Sequence, residues 1–273
     1  MTSAPPPSPS PWKGEGEGGG RLLTEFILPG WLRLSFAILI ALPATVGAGD
    51  CAGTVYLTFD TGNMVQAENI AAILREQQVK ATFFVANEPT FRGDHALDAS
   101  WRDYWRARVA EGHAFGNHTF HHNYLRRDLP DGKVLMAQSS GPELHLDERG
   151  FCAELRQTDD AFHELTGTHL AGMWRAPGGR TTQSTIRWAA DCGYPLYVQW
   201  DTAGWLGDEL DSDKYPNDML LKRALERIRP GTIVIMHLGI RSRKDPLAPI
   251  LAPLIRDLKA RGYCFAPLAV AQR

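Results

Sequence analysis

The sequence predicts an α/β fold in which a parallel sheet, rolled as an open or closed barrel, alternates with helices in one domain. Three observations carry that expectation. Seven short β-branched or aromatic runs alternate with segments of helical period, most of the reactive side chains fall at the C-terminal ends of those runs, and 273 residues suffice for a single domain with a full core.

Taken in order, residues 54–60 are a β-branched and aromatic run closed by Gly62, a strand that delivers Asp60 at its C-terminal end. The helix expected over 67–77 repeats apolar positions at Ile70, Ile73 and Leu74, and 80–86 reads as a buried strand. A helix over 99–111 carries Trp101, Tyr104 and Trp105 on one side and ends at Gly112, before a third strand over 113–117. Residues 123–145 mix charge, Gly and Pro with little periodicity, and read as a long loop of the kind that shapes a binding site. Helices follow over 146–165, 183–192, 217–229 and 247–261, with strands over 171–175, 196–200, 232–237 and 264–269.

Asp60, His118, Arg175, Asp201 and His237 each lie at or just beyond the end of a different predicted strand, the rim where α/β barrels build active sites. The stretch 117–122 packs three histidines into five positions, and His118 with His122 is the pair expected to hold a metal. His121 reads as a neighbour and not a third ligand, His113 as a packed side chain, and His95, His145, His163 and His169 as surface residues.

A formal net charge of −2 and the lack of a basic stripe give no argument for nucleic acid. Arg241, Arg243 and Lys244 form a short basic run that reads either as a solvated face or as a contact for an anionic glycan. The cysteines, Cys51, Cys152, Cys192 and Cys264, have no Cys-x-x-Cys spacing and allow two disulfides in three connectivities. Residues 1–20 have the Pro/Gly/Glu composition of a disordered segment. Residues 21–48 contain Arg33, the apolar run 34–46 and a small-residue Val-Gly-Ala, so they read as an export signal or a membrane anchor, with the folded domain over 49–273 and a periplasmic or extracellular location.

Five ordered motifs within residues 54–269 resemble those of the polysaccharide deacetylases, also called carbohydrate esterase family 4 or the chitooligosaccharide deacetylase homology domain. They are Thr-Phe-Asp-Thr-Gly at 58–62, His-Thr-Phe-His-His at 118–122, Arg-Ala-Pro-Gly-Gly at 175–179, the segment from Asp201 to Trp205, and Ile-Met-His at 235–237. The resemblance implies a distorted (β/α)7 barrel and a metal-dependent hydrolase removing N-acetyl or O-acetyl groups from an amino-sugar polysaccharide or oligosaccharide. It implies Asp60 as base, Arg175 as the residue that holds it, and His237 as the acid for the leaving amine. Asp201 is expected to support Arg175 and to raise the pKa of His237. His118 and His122 are implied as ligands of a divalent metal, zinc in the first place. The third motif brings Pro177, and Trp174, Trp200 and Trp205 are read either as core or as walls of the substrate pocket.

Two positions depart from the family pattern. Thr61 stands where the metal-binding aspartate is usual, so either waters complete the site at lower affinity or another carboxylate, such as Asp208 or Asp211, swings in. Gly178 replaces the usual aromatic residue, which leaves a wall of the acyl pocket missing or supplied by Trp174 or Trp200. Thr61 also keeps open a metal-free or weakly metallated amidase on the same barrel, like the branch that opens cyclic ureides, and an inactive glycan-binding homologue.

Overall fold

The run that opens the folded region forms strand β1 (Gly53–Asp60) in the computed structural model of the protein, which describes residues 51–138 and 142–268. Helix α1 (Ala67–Glu76) buries Ile70, Ile73 and Leu74 as the apolar spacing requires, and leads to β2 (Thr82–Val85). A short 3-10 turn, Ala99–Trp101, precedes α2 (Arg102–Ala110), after which comes β3 (Ala114–Asn117).

The stretch read as a long loop is instead a small antiparallel sheet: β4 (Tyr124–Asp128), β5 (Val134–Ala137) and β6 (Glu143–Leu146), in that order. Its hairpin turn carries Asp131-Gly132, a dipeptide that favours tight turns, and β5 is buried along its whole length. The remaining elements are α3 (Glu148–Thr166), β7 (Met173–Trp174), α4 (Gln183–Asp191), β8 (Leu196–Tyr197), α5 (Asn217–Arg227), β9 (Ile233–His237), α6 (Leu251–Ala260) and β10 (Tyr263–Phe265). Asp147 caps α3 through the Gly150 amide, and Gly167 ends it in the left-handed conformation.

All pairings of the main sheet are parallel, in the order β10-β1-β2-β3-β7-β8, with β9 also paired to β1 along residues 56–60. The sheet curls, and a bridge between Trp205 and Ile235 lays the 201–205 segment along the far side of β9. Strand alternation then sorts the side chains. Phe59, Phe83 and Phe115, in register on β1, β2 and β3, stack at 5.5 and 5.7 Å on the helix-facing side, where Trp105 of α2 and Phe162 of α3 pack against Phe115. Each such fully buried ring contributes roughly 1.5–3 kcal/mol.

The opposite face is the barrel interior, where Phe84, Met173 and Val198 form a second, smaller cluster. Gly116 is required here because a Cβ would lie 2.6 Å from the Phe84 ring. Two disulfides pin the periphery, Cys51–Cys264 and Cys152–Cys192, each with Cα atoms 5.7 Å apart. Among the described residues no helix is long and apolar enough to cross a membrane; the 34–46 run and the segment 1–20 lie outside them.

Candidate active site

The alternation that turns Phe59 toward the helices turns Asp60 into the barrel, and the register of β1 with β9 sets Asp60 directly beside His237. Asp60 is 2% exposed, and its Oδ1 accepts a 2.7 Å hydrogen bond from an Arg175 guanidinium nitrogen. Burial, the largest single influence, pushes the Asp60 carboxyl up, but the Arg175 guanidinium, acting together with His118 and His237, brings the group below the usual carboxylate range. Arg175, fully buried, lies over the Phe84 ring at 4.1 Å, and also donates to the Val198 carbonyl. One of its nitrogens, Nη2, is buried with no hydrogen-bond partner among the described residues.

On the other flank of Asp60, His118 lies just past β3, with its Nε2 3.4 Å from Asp60 Oδ2. Its Nδ1 faces the Arg175 carbonyl at 2.8 Å, and a carbonyl only accepts, so the ring proton sits on Nδ1 and Nε2 presents a lone pair. Burial drives the pKa of His118 down to about 4, which keeps the imidazole neutral near pH 7. That is the tautomer and charge state of a metal-ligating histidine supported by a backbone carbonyl.

His122 follows on the turn, with its ring 4.8 Å from that of His118. Thr119 and His122 both hold positive φ, 61° and 53°, conformations that cost non-glycine residues about 1–3 kcal/mol and recur at functional sites. His121 turns away, its Nδ1 2.7 Å from Glu154 Oε1 and its amide bonded to Glu154 Oε2, as expected of a neighbour and not a ligand. His113 packs edge-on against Phe83, and His95, His145, His163 and His169 are exposed.

His237 closes the other side. Asp208, and not Asp201, holds it: Asp208 Oδ2 accepts from the His237 amide at 2.7 Å and lies 3.1 Å from Nδ1. Burial would lower the His237 pKa, but the Asp208 carboxylate, with smaller help from Asp60 and Glu209, raises it to about 10, so the ring is an imidazolium at neutral pH. Asp201 is exposed, and its carboxylate accepts from the Ile233 amide, which fixes the 201–205 segment to β9. The expected contact of Asp201 with Arg175 and His237 is therefore corrected: Asp201 starts the segment along the sheet edge, whereas Asp208 lies buried further along the loop. With Asp208 committed to His237 and Asp211 exposed, neither swings toward the histidine pair.

Another carboxylate does lie there. Glu88, three residues beyond β2, reaches back so that its Oε2 accepts from Thr61 Oγ1 at 2.8 Å and from the Gly62 amide at 2.7 Å. Its Oε1 is 3.6 Å from His122 Nδ1. Burial pushes the Glu88 carboxyl up, and the nearby His122 and His118 with the Thr61 hydroxyl bring it below the ordinary range. Thr61 is fully buried and its hydroxyl also accepts from the Ala86 amide, so it is an orienting group and not an open ligand.

The proposed walls divide. Trp174 is 1% exposed and packs on Phe151 and Tyr197 at 5.5 and 5.0 Å, because a side chain next to inward-facing Arg175 on one strand must face outward. It is core. Trp200 is half-buried and stands 5.6 Å from the Arg175 guanidinium, while Trp205 lies under Arg223 of α5 at 5.5 Å. Pro177 is buried at the start of a 3-10 turn, Pro177–Gly179. Gly178 holds φ 64°, and a Cβ there would lie 2.8 Å from the ring of Tyr124, which also packs edge-on to His122 at 5.3 Å. Tyr124, from β4, thus brings an aromatic face to the spot where Gly178 has no side chain.

A cavity of about 280 Å3 opens beside His237, lined among others by Asn63, Gln66, Ile240 and Arg241. The basic run does not form a free patch: Arg243 is buried, bonding the Leu210 and Tyr215 carbonyls and Asn217, Lys244 pairs with Asp213 at 2.7 Å, and Arg241 bonds the Pro89 carbonyl. Among the described residues no three His, Cys, Asp or Glu side chains stand as a ready-made ligand set. In kind, however, the donors around His118, two imidazoles and a carboxylate, are those a divalent ion such as zinc takes.

Residues 48–197 match the family model for polysaccharide deacetylase. A chitooligosaccharide deacetylase of Bradyrhizobium sp. (strain ANU 289) is 30% identical, over 81% of this chain and 92% of that protein. The peptidoglycan-N-acetylmuramic acid deacetylase PdaA of Bacillus subtilis is 27% identical, over 78% of this chain and 68% of that protein. Among solved structures, a family 4 carbohydrate esterase from Streptomyces lividans in complex with acetate superposes with a TM-score of 0.58 at 21% identity, covering 80% of this chain and 94% of that one. A family 4 pseudoenzyme from Bacillus anthracis also superposes with 0.58 at 21% identity, over 79% of this chain and 64% of that one. These last two likenesses concern the fold, the curled (β/α)7-type barrel.

Proposed function

The chain belongs to the polysaccharide deacetylase family of hydrolases, which act on carbon–nitrogen bonds other than peptide bonds, and from that premise we propose that it is an exported, metal-dependent enzyme that removes N-acetyl or O-acetyl groups from an amino-sugar glycan of the cell wall or surface. The observation that carries the reading is the line of groups at the barrel mouth: Asp60 held ionised by Arg175 at 2.7 Å, neutral His118 on one flank, and His237 charged by Asp208 on the other.

In this reading Asp60 takes a proton from the attacking water, and its low pKa together with the Arg175 contact keeps it ionised and aimed. The water oxygen adds to the acetamide carbonyl, the carbon–nitrogen bond breaks, and His237 gives its proton to the departing amine, leaving acetate and a free amino sugar. A cationic His237 suits that task, since the proton is present before the leaving group needs it. His118 and His122 are the residues that would hold a divalent ion, which when bound polarises the carbonyl and makes water more acidic. Trp200, Tyr124 and the cavity beside His237 offer the sugar its contacts.

Export is supported by the two disulfides, since such bonds persist in oxidising compartments, and by the signal-like composition of residues 21–48. The test is acetate release from chitooligosaccharides and from peptidoglycan. We expect release by the wild-type chain and none by Asp60→Asn; absence of release by the wild type from either substrate, with glycan still retained, would leave a glycan-binding protein.

A further inference from the structure

We infer that Glu88 supplies the carboxylate missing at position 61, and that with His118 and His122 it forms a two-imidazole, one-carboxylate site for a divalent cation. The inference rests on the metal-dependent reading above, and goes beyond it in naming a ligand from a different strand.

The geometry is specific. Position 61 lies just past the end of β1, and β2 is its parallel neighbour, with Asp60 in register with Phe84. A side chain a few residues beyond Phe84 can therefore fold back over the end of β1, and Glu88 does so, with one oxygen bound to both Thr61 Oγ1 and the Gly62 amide. Thr61 gives its hydroxyl proton to Glu88 and accepts from the Ala86 amide, so its two contacts fix where that carboxylate sits.

The second oxygen is what the contacts to Thr61 and Gly62 leave unexplained. A glutamine would satisfy Thr61 and Gly62 equally well through its carbonyl, without the penalty of burying a negative charge. Instead Glu88 Oε1 lies 3.6 Å from His122 Nδ1, within ion-pair distance but too long for a hydrogen bond. That separation is close to the ~3.4 Å that separates two donors sharing one tetrahedral ion at ~2.1 Å each. The ring of His118 is 4.8 Å from that of His122, and its lone pair on Nε2 is left free by the Nδ1 contact to the Arg175 carbonyl. Asp60 is the other carboxylate within reach, its Oδ2 3.4 Å from His118 Nε2, but Arg175 holds its Oδ1 and it is the base of the proposed reaction, whereas Glu88 has no role there.

The test is zinc binding to the full chain after chelator treatment, followed by titration calorimetry and elemental analysis, with thermal unfolding to confirm that each variant folds. The wild type is expected to bind one ion per chain, and Glu88→Gln, which keeps the bonds to Thr61 and Gly62, to bind at least ~100-fold more weakly. Thr61→Asp combined with Glu88→Gln is expected to recover binding to within about tenfold, because the carboxylate returns from the neighbouring strand. Wild-type affinity in folded Glu88→Gln, together with loss of the ion in the His118→Ala and His122→Ala double variant, overturns the role of Glu88 alone. No recovery in the folded Thr61→Asp combination overturns the equivalence of the two positions. A wild-type chain that binds no zinc, or a double-histidine variant that keeps it all, overturns this inference and the metal-dependent reading together.

Discussion

Replacing Asp208 by Asn tests the acid assigned to His237. The side chain is 4% exposed, and its Oδ2 meets both the amide and Nδ1 of His237 at 2.7 and 3.1 Å. An asparagine turned with its carbonyl toward His237 keeps both contacts and removes only the charge. The pKa of His237 stands at about 10 against an ordinary 6.5, a rise worth roughly 5 kcal/mol in favour of the imidazolium. A unit charge at 3.1 Å in a partly screened interior supplies a similar amount, about 5 kcal/mol.

With that charge gone, burial is opposed only by the remaining carboxylates, Asp60 and Glu209, and the His237 pKa is expected to fall by about 3 units, toward its ordinary value. In the kcat profile against pH, the limb on which the acid loses its proton should move down from near pH 10 to near neutrality, while NMR titration of the His237 ring reports the same shift directly. Linkage fixes the sign for stability. A raised pKa stabilises the fold fully below about pH 6.5 and loses that contribution as pH rises through about 10. The wild type should therefore exceed Asp208→Asn in stability most at pH 6, with the gap narrowing by pH 10–11. A His237 that stays protonated above pH 8 in the variant, with the alkaline limb unmoved, would refute the assignment of Asp208.

Other expectations follow from the same geometry. Arg175→Gln removes the guanidinium that helps hold Asp60 below the usual carboxylate range, so the acid limb of kcat/KM should move to higher pH; the stabilisation that Asp60 provides, present above its ordinary pKa and lost as pH falls, should shrink. An unmoved acid limb would count against Asp60 as the base. Gly178→Ala places a Cβ at 2.8 Å from Tyr124 in a left-handed conformation, and should cost about 1–2 kcal/mol in denaturant melts, part of it recovered by Tyr124→Ala. Serines at both Cys51 and Cys264 should lower stability by about 2–5 kcal/mol under oxidising conditions and by nothing further in reductant.

Much of this site is legible in the sequence because strand ends are legible. Asp60, His118, Arg175 and His237 lie where a β-rich run stops, and the parallel sheet brings those stops to one rim. What the same period also predicts is that Trp174, one residue before inward-facing Arg175, faces the helices, so alternation alone argues against it as a wall. Tyr124 is hidden by reading residues 123–145 as a loop, although Asp131-Gly132 between two apolar runs is a hairpin signal. Asp208 and Glu88 carry no such mark. Each sits in an irregular segment whose path depends on tertiary contacts: Asp201 binding Ile233 for one, Thr61 and Gly62 binding the carboxylate itself for the other.

The departures at the site nonetheless have a common logic. A missing aromatic at 178 faces Tyr124 from β4, and a missing carboxylate at 61 faces Glu88 from beyond β2. In each case the small or neutral residue makes room for, or hydrogen-bonds to, the side chain that brings the absent group. Gly178 cannot gain a Cβ while Tyr124 lies on it, and Thr61 orients Glu88 where an aspartate would repel it. Thr61→Asp alone should therefore crowd two buried carboxylates and lower stability in the absence of metal, whereas adding Glu88→Gln should relieve it. A motif read one position at a time counts Thr61 as a loss, but the charge it would have carried stands 2.8 Å from its hydroxyl.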